Sequence, residues 1–136
     1  MKEYVLDANA LVRYFRRTPG FETVMDLFQQ AKAEKAHVSI SVVNLCEVIY
    51  VLARYFGQEQ TLRYIEITRQ STESDVVSES VAMNTSILRI RYKLGLADCF
   101  AAELAMRTGA TLVTADPEFA RLGKQLKVLA LPRHSG

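Results

Sequence analysis

Apolar residues in this chain fall alternately into short runs and helical stripes. Tyr4 to Leu6 is a compact apolar run ending in Asp7, the pattern of a parallel strand buried on both faces. A helix is predicted from Asn9 to Arg17, stopped by Thr18-Pro19-Gly20. In a second helix, Phe21 to Lys35, Val24, Leu27, Phe28 and Ala31 recur at helical spacing. His37 to Ile40 reads as a strand, and Ser41 as the N-cap of a helix that continues to Phe56 and ends at Gly57. Gln58 to Arg69 is amphipathic, and Asp75 to Val77 reads as a third strand. Ser78 caps a helix reaching Leu94, closed by Gly95, and Ala97 to Arg107 forms another, ended by Gly109. Thr111 to Thr114 is a clear strand and Val128 to Ala130 a weak one, with Arg133 to Gly136 expected as a loose tail.

Strands alternating with helices indicate βαβ units. The expected fold class is α/β: a three-layer α/β/α domain with a mostly parallel central sheet of four to five strands. Residues 1–136 show no internal repeat, low-complexity stretch or linker, so a single domain is expected.

Composition changes this picture little. Nearly half of the 136 residues are hydrophobic (49%) and 24% are charged, which is globular and excludes a disordered chain. A formal charge of +2 neither announces nor excludes a nucleic-acid binder. Cys46 and Cys99 form no Cys-x-x-Cys pair and read as small buried hydrophobes. No signal-peptide pattern precedes the first strand, and no apolar stretch approaches the roughly 18 residues of a membrane span. A cytoplasmic protein without membrane attachment is expected.

Candidate chemistry lies in four carboxylates set into apolar segments: Asp7, Glu47, Asp98 and Asp116. Glu47 is the only charged residue between Ser39 and Ala53, on a helix apolar nearly all round and therefore expected to be buried. Each acid also has an ordinary reading. Asp7 can cap the next helix, although Asn9 could cap instead. Glu47 can pair with Arg13 or Arg91, Asp98 can be a first-turn acid favoured by the helix dipole, and Asp116 before Pro117 can be a turn residue. Asn44, one turn before Glu47, can bond a ligand or the carboxylate, and Thr114 adds a hydroxyl. Glu118 is either a further ligand or a solvated loop residue, the second being favoured.

Taken jointly, four ionised carboxylates in one pocket repel one another unless protonated, paired or bound to cations. Hard oxygen donors suit Mg²⁺ or Mn²⁺, and the lack of His or paired Cys in these segments disfavours zinc. Carboxylate-held divalent ions polarise phosphate oxygens and generate hydroxide from water, so phosphodiester hydrolysis is the natural inference.

Val-Leu-Asp7-Ala-Asn9, Asn44-Leu-Cys-Glu47-Val, Leu-Ala-Asp98-Cys-Phe-Ala-Ala and Leu-Val-Thr114-Ala-Asp116-Pro-Glu118-Phe, in this order, resemble the PIN-domain nucleases. The resemblance is to the small VapC-type toxins of toxin–antitoxin pairs in particular. Each motif is short, but the four together span nearly the whole chain. The resemblance implies a parallel sheet between helices, endonucleolytic RNA cleavage, and Asp7, Glu47, Asp98 and Asp116 as ligands of Mg²⁺ or Mn²⁺, with Asp7 bridging two ions. It also implies supporting roles for Thr114 and Asn9, a cognate antitoxin and a homodimer. One departure is Ala8, where many relatives carry Ser or Thr.

For RNA, Arg13, Arg16 and Arg17 punctuate the first helix, and Arg89, Arg91 and Lys93 flank Tyr92 on a later one. Basic residues beside an aromatic suit a backbone and a stacked base, although each can equally line a solvated face, and Arg13 or Arg91 can instead orient the carboxylates. Two other classes compete: an aspartyl-nucleophile phosphotransfer enzyme using Asp7, and a non-catalytic interaction module using the apolar helix through Val42–Phe56.

Overall fold

Alternate side chains of the central strands feed two separate cores. In a computed structural model, which describes residues 1–133, Val5 and Leu112 belong to one buried cluster and their neighbours Leu6 and Val113 to the other. Successive strand residues point to opposite faces, so this division shows a sheet covered on both sides. The five strands are β1 (Lys2–Leu6), β2 (Ala36–Ser41), β3 (Glu73–Asp75), β4 (Thr111–Thr114) and β5 (Lys127–Ala130). They lie in the order β3-β2-β1-β4-β5, and every pairing is parallel.

The helices divide between the faces. α1 (Ala8–Arg16), α2 (Phe21–Lys32), α3 (Val42–Phe56) and α4 (Gln58–Thr68) supply the core containing Leu11, Phe28, Leu52 and Ile65. α6 (Leu96–Thr108) and a 3₁₀ segment, Pro117–Gln125, supply the other through Ala101, Leu104, Phe119 and Leu122. α5 (Glu79–Tyr92) packs on that side through the partly buried Leu88 and Tyr92. Ser41 and Ser78 cap α3 and α5 by accepting the N–H of Val43 and Val81. Gly109, at φ 67°, ends α6 in the left-handed conformation that a side chain would resist. Among the described residues no helix is long and apolar enough to cross a membrane.

Three expectations shift. β3 forms over Glu73–Asp75, two residues earlier than predicted, because that stretch is the one in register with β2; Val76 is 73% exposed. The 3₁₀ segment is not among the expected elements, since Gly123 interrupts its helical dihedrals. α3 is not buried all round: Val48 and Leu52 are in the core while Cys46, Glu47, Tyr50 and Tyr55 are exposed or half-exposed at its outer face. Of the two cysteines, therefore, only Cys99 is the buried small hydrophobe expected.

The order of the strands decides where a site can form. The chain leaves β1 towards β2 and β3 on one side, and β4 continues to β5 on the other. β1 and β4 therefore flank the switch point, and a crevice is expected beyond their carboxyl ends. Asp7 follows β1, and its N–H bonds the carbonyl of Val113 on β4 at 3.0 Å, extending the pairing to that edge.

Candidate functional site

Asp7 is only 2% exposed and sits at the junction of β1 and α1. Its Oδ1 accepts the N–H of Ala8 at 2.9 Å, which makes it the N-cap of α1. Its Oδ2 accepts from the Thr114 hydroxyl at 2.7 Å and the Asn9 amide at 2.8 Å. Asn9 does not cap the helix, as one reading of the sequence allowed. It lies inside α1, and its own Oδ1 accepts the N–H of Ala115 at 2.9 Å. Thr114 Oγ1 in turn accepts the N–H of Asp116 at 3.0 Å. These bonds lace the ends of β1 and β4 together and fix the rotamer of Asp7. A hydroxyl on residue 8 is dispensable for this, because Thr114 and Asn9 supply the donors.

Asp116 caps the 3₁₀ segment, its Oδ1 accepting the N–H of Glu118 at 2.9 Å. Asp98 occupies the first turn of α6, half-buried. One carboxylate oxygen each from Asp98, Asp116 and Glu118 lie within 4.8 Å of one another. Glu118 thus stands with the acids rather than apart in a loop, at the first turn that Asp116 caps.

Glu47 corrects another expectation. It is exposed rather than buried, and among the described residues it pairs with neither Arg13 nor Arg91. Asn44 donates to the carbonyl of Ala97, the residue before Asp98, at 3.1 Å, and lies 3.5 Å from Glu47 Oε1. It therefore ties α3 to the start of α6. Its Oδ1 is buried without a protein partner among the described residues.

The electrostatics show that these acids sense one another. The carboxyl of Asp98 is pushed up to about 7, first by burial and then by the charges of Asp7, Asp116, Glu47 and Glu118. That of Asp7 is raised to about 6, chiefly by burial; the bonds from Thr114 and Ala8 oppose the rise, and the charges of Glu47 and Asp116 add to it. Asp7 and Glu47 lie outside the tight triplet but inside its field. Among the described residues no Lys or Arg pairs with Asp7, Glu47, Asp98 or Asp116; Glu118 meets Arg121 at 3.5 Å.

The basic residues divide by their contacts. Arg13 orients no carboxylate: its guanidinium donates to the carbonyls of Pro19, Pro132 and Arg133. Arg16 stacks on Tyr55 at 3.7 Å, Arg17 lies over Tyr14 at 5.0 Å, and Arg89 donates to the carbonyl of Leu94. Arg91 and Lys93 are exposed, on α5 and at its end. Two crevices flank the acids. One, of about 490 Å³, is lined by Asn9, Arg13, Arg16, Glu47 and Arg133. The other, of about 280 Å³ and mostly apolar, is lined by Thr114, Asp116, Phe119, Val128 and Arg133. Arg133 belongs to the expected loose tail, and no sequence signal marks it; residues 134–136 of that tail lie outside the described residues.

With the acids at the switch point of a parallel sheet, comparison with known proteins becomes decisive. Residues 4–125 match the model of the PIN domain. The chain belongs to the PIN-domain family. Among solved structures it is similar to VapBC2 from Rickettsia felis bound to a promoter DNA fragment, at 23% identity and a TM-score of 0.74, covering 94% of this chain and 98% of that one. It is also similar to DNA-bound VapBC from Salmonella typhimurium, at 21% identity and a TM-score of 0.75, covering 96% and 98%. A toxin–antitoxin complex from Klebsiella pneumoniae matches at 24% identity and a TM-score of 0.69, covering 93% and 96%. At these identities the likeness shows the fold. Among curated proteins none matches significantly.

The donor set of this PIN domain fits a hard divalent cation. Carboxylate oxygens converge, and the Asn44 side chain, whose own oxygen is buried without a partner among the described residues, bonds the carbonyl of Ala97 next to Asp98. The Cys99 thiol is turned to the carbonyl of Leu94, and His37 bonds Glu3 and Glu73, so neither joins the group.

Proposed function

We propose that the protein is a metal-dependent endoribonuclease, the toxin of a toxin–antitoxin pair, working as a single PIN-like domain in the cytoplasm. The observation that supports this most is the convergence of Asp98, Asp116 and Glu118 within 4.8 Å, inside the field of Asp7 and Glu47, with the Asp98 carboxyl raised to about 7. Such a group is uncomfortable alone and is relieved by cations. Asp7, Glu47, Asp98 and Asp116 would hold Mg²⁺ or Mn²⁺, with Asn9, Asn44, Thr114 and Glu118 in support. The ion supplies charge neutralisation on phosphate oxygens and acidification of water.

The chain's own residues do the positioning. Thr114 and Asn9 lock Asp7 while leaving a lone pair on its carboxylate, since an ionised carboxylate accepts roughly four bonds and three are used. Asn44 holds α6 so that Asp98 stays beside Asp116. Water rather than the ribose 2′-hydroxyl would attack, leaving 5′-phosphate and 3′-hydroxyl ends. Asp7 as a covalent nucleophile is less favoured, because it is buried with both oxygens already bonded. An antitoxin and a homodimer partner are proposed on the likeness to toxin–antitoxin complexes and on the exposed Tyr50 and Tyr55 of α3.

The test is cleavage of total RNA with Mg²⁺, Mn²⁺ or chelator, beside Asp7→Asn, with the ends mapped. Cleavage abolished by chelator and by the substitution is expected. Cleavage that persists in EDTA, or 2′,3′-cyclic ends, would count against the reading.

A further inference from the structure

Arg13 is unusual among the basic residues because its guanidinium is bound to three backbone carbonyls from separate segments. Its guanidinium gathers the carbonyls of Pro19 at 2.8 Å, Pro132 and Arg133 at 3.0 Å, joining α1, the turn after it and the segment beyond β5. That segment is held at two other points. The N–H of Leu131 bonds the carbonyl of Thr114 at 2.8 Å, and its side chain is buried in the core beside α1 and α2. Gly20, at φ 100°, lets the turn approach closely: a Cβ there would lie 3.2 Å from Leu131 Cβ and 3.3 Å from Pro132 Cδ. The last described residue of the strap, Arg133, lines both crevices, one with Asn9 and Glu47 and the other with Thr114 and Asp116.

We propose that Arg133 is a phosphate-binding residue for single-stranded RNA at the mouth of the acidic cleft, and that Arg13 is the positioning residue that fixes it there. This rests on the ribonuclease reading above. An anionic strand approaching Asp7, Glu47, Asp98, Asp116 and Glu118 needs fixed positive charge beside them, and the wall shared by both crevices is where it can act on either side of the cut. Carbonyl partners leave the charge of Arg13 in place while committing its donors, so its own part is to hold the segment. A fork of N–H groups reaches three carbonyls at once, which an ammonium on a flexible stem does less well.

The experiment measures binding of a mixed-sequence single-stranded RNA oligonucleotide to the full chain carrying Asp7→Asn, at fixed magnesium and varied salt. Losing one phosphate contact on a single strand flattens the log–log salt dependence by about 0.7. Arg133→Ala is expected to flatten it by that amount and Arg133→Lys to restore it. Arg13→Ala is expected to match Arg133→Ala, with no further flattening in the double variant, whereas Arg13→Lys fails to rescue. An unchanged slope in Arg133→Ala, while the unsubstituted chain cleaves RNA, overturns this inference alone. Additive flattening in the double variant overturns the positioning role. Absence of RNA cleavage by the unsubstituted chain with metal removes the ribonuclease reading and the inference with it. If Arg13→Ala unfolds by thermal melt, Arg133→Ala and Arg133→Lys decide the matter.

Discussion

Two groups of acids in this molecule are treated in opposite ways. Glu103, only 5% exposed on α6, is gripped by Arg107 at 2.9 Å, and the same guanidinium reaches Asp75 at 2.6 Å. Glu3 and Glu73 share the His37 ring, each at 2.8 Å. The acids at the β1–β4 edge have no such partner among the described residues, apart from Arg121 near Glu118. The chain therefore has the means to neutralise a carboxylate from within and uses it where carboxylates only hold elements together. At the switch point it leaves the charges without an internal partner, at a cost in stability.

Substitutions should separate the two groups most sharply. Asp98→Asn is expected to lower RNA cleavage by about a thousandfold or more, the several kcal/mol that bound metal supplies. It should also leave the melting temperature of the metal-free protein unchanged or higher, because repulsion is relieved. A large loss of stability would show that Asp98 is structural. Arg107→Ala should do the reverse, costing about 2–3 kcal/mol in urea denaturation because Glu103 stays buried and unpaired; the partial exposure of Arg107 moderates the loss. Its cleavage per folded molecule should stay near normal.

Mg²⁺ or Mn²⁺ should raise the melting temperature, by the equivalent of about 2.7 kcal/mol at a hundred times the dissociation constant. Asp98→Asn should remove much of that gain. For pH the sign follows from raised acids. The folded chain holds protons on Asp98 and Asp7 up to about 7 and about 6, where the unfolded chain has lost them. Metal-free stability should therefore fall as pH rises from about 4 to about 7, and saturating metal should reduce the decline. A rise over that interval would break the contrast. The smallest effect belongs to His37, whose pKa is raised by bonds to Glu73 and Glu3. Its contribution is full below the unfolded value of about 6.5 and fades as pH climbs through the folded one. His37→Ala should cost about 1 kcal/mol or less at low pH, because the pair is largely exposed.

Much of this was legible because it is local. Runs such as Thr111–Thr114 and caps such as Ser41 and Ser78 carry their reasons within a few residues. The acids stood out because apolar neighbours make a charge conspicuous. The same logic overreached at Glu47 and Cys46: an apolar neighbourhood along a helix does not say which face the fold covers, and neither is buried. The tie between Arg13 and the segment that includes Arg133 gave no sign, since a guanidinium among carbonyls from separate segments has no sequence pattern.

Periodicity, caps and turn residues, which act over a few positions, set the alternation of strands and helices and the presence of isolated acids. Strand order is a long-range matter, fixed by which apolar faces can be covered together. It alone brought Asp7 and Thr114, 107 positions apart, within 2.7 Å, turned Glu118 towards Asp98, and placed Arg133 on the wall between the two crevices.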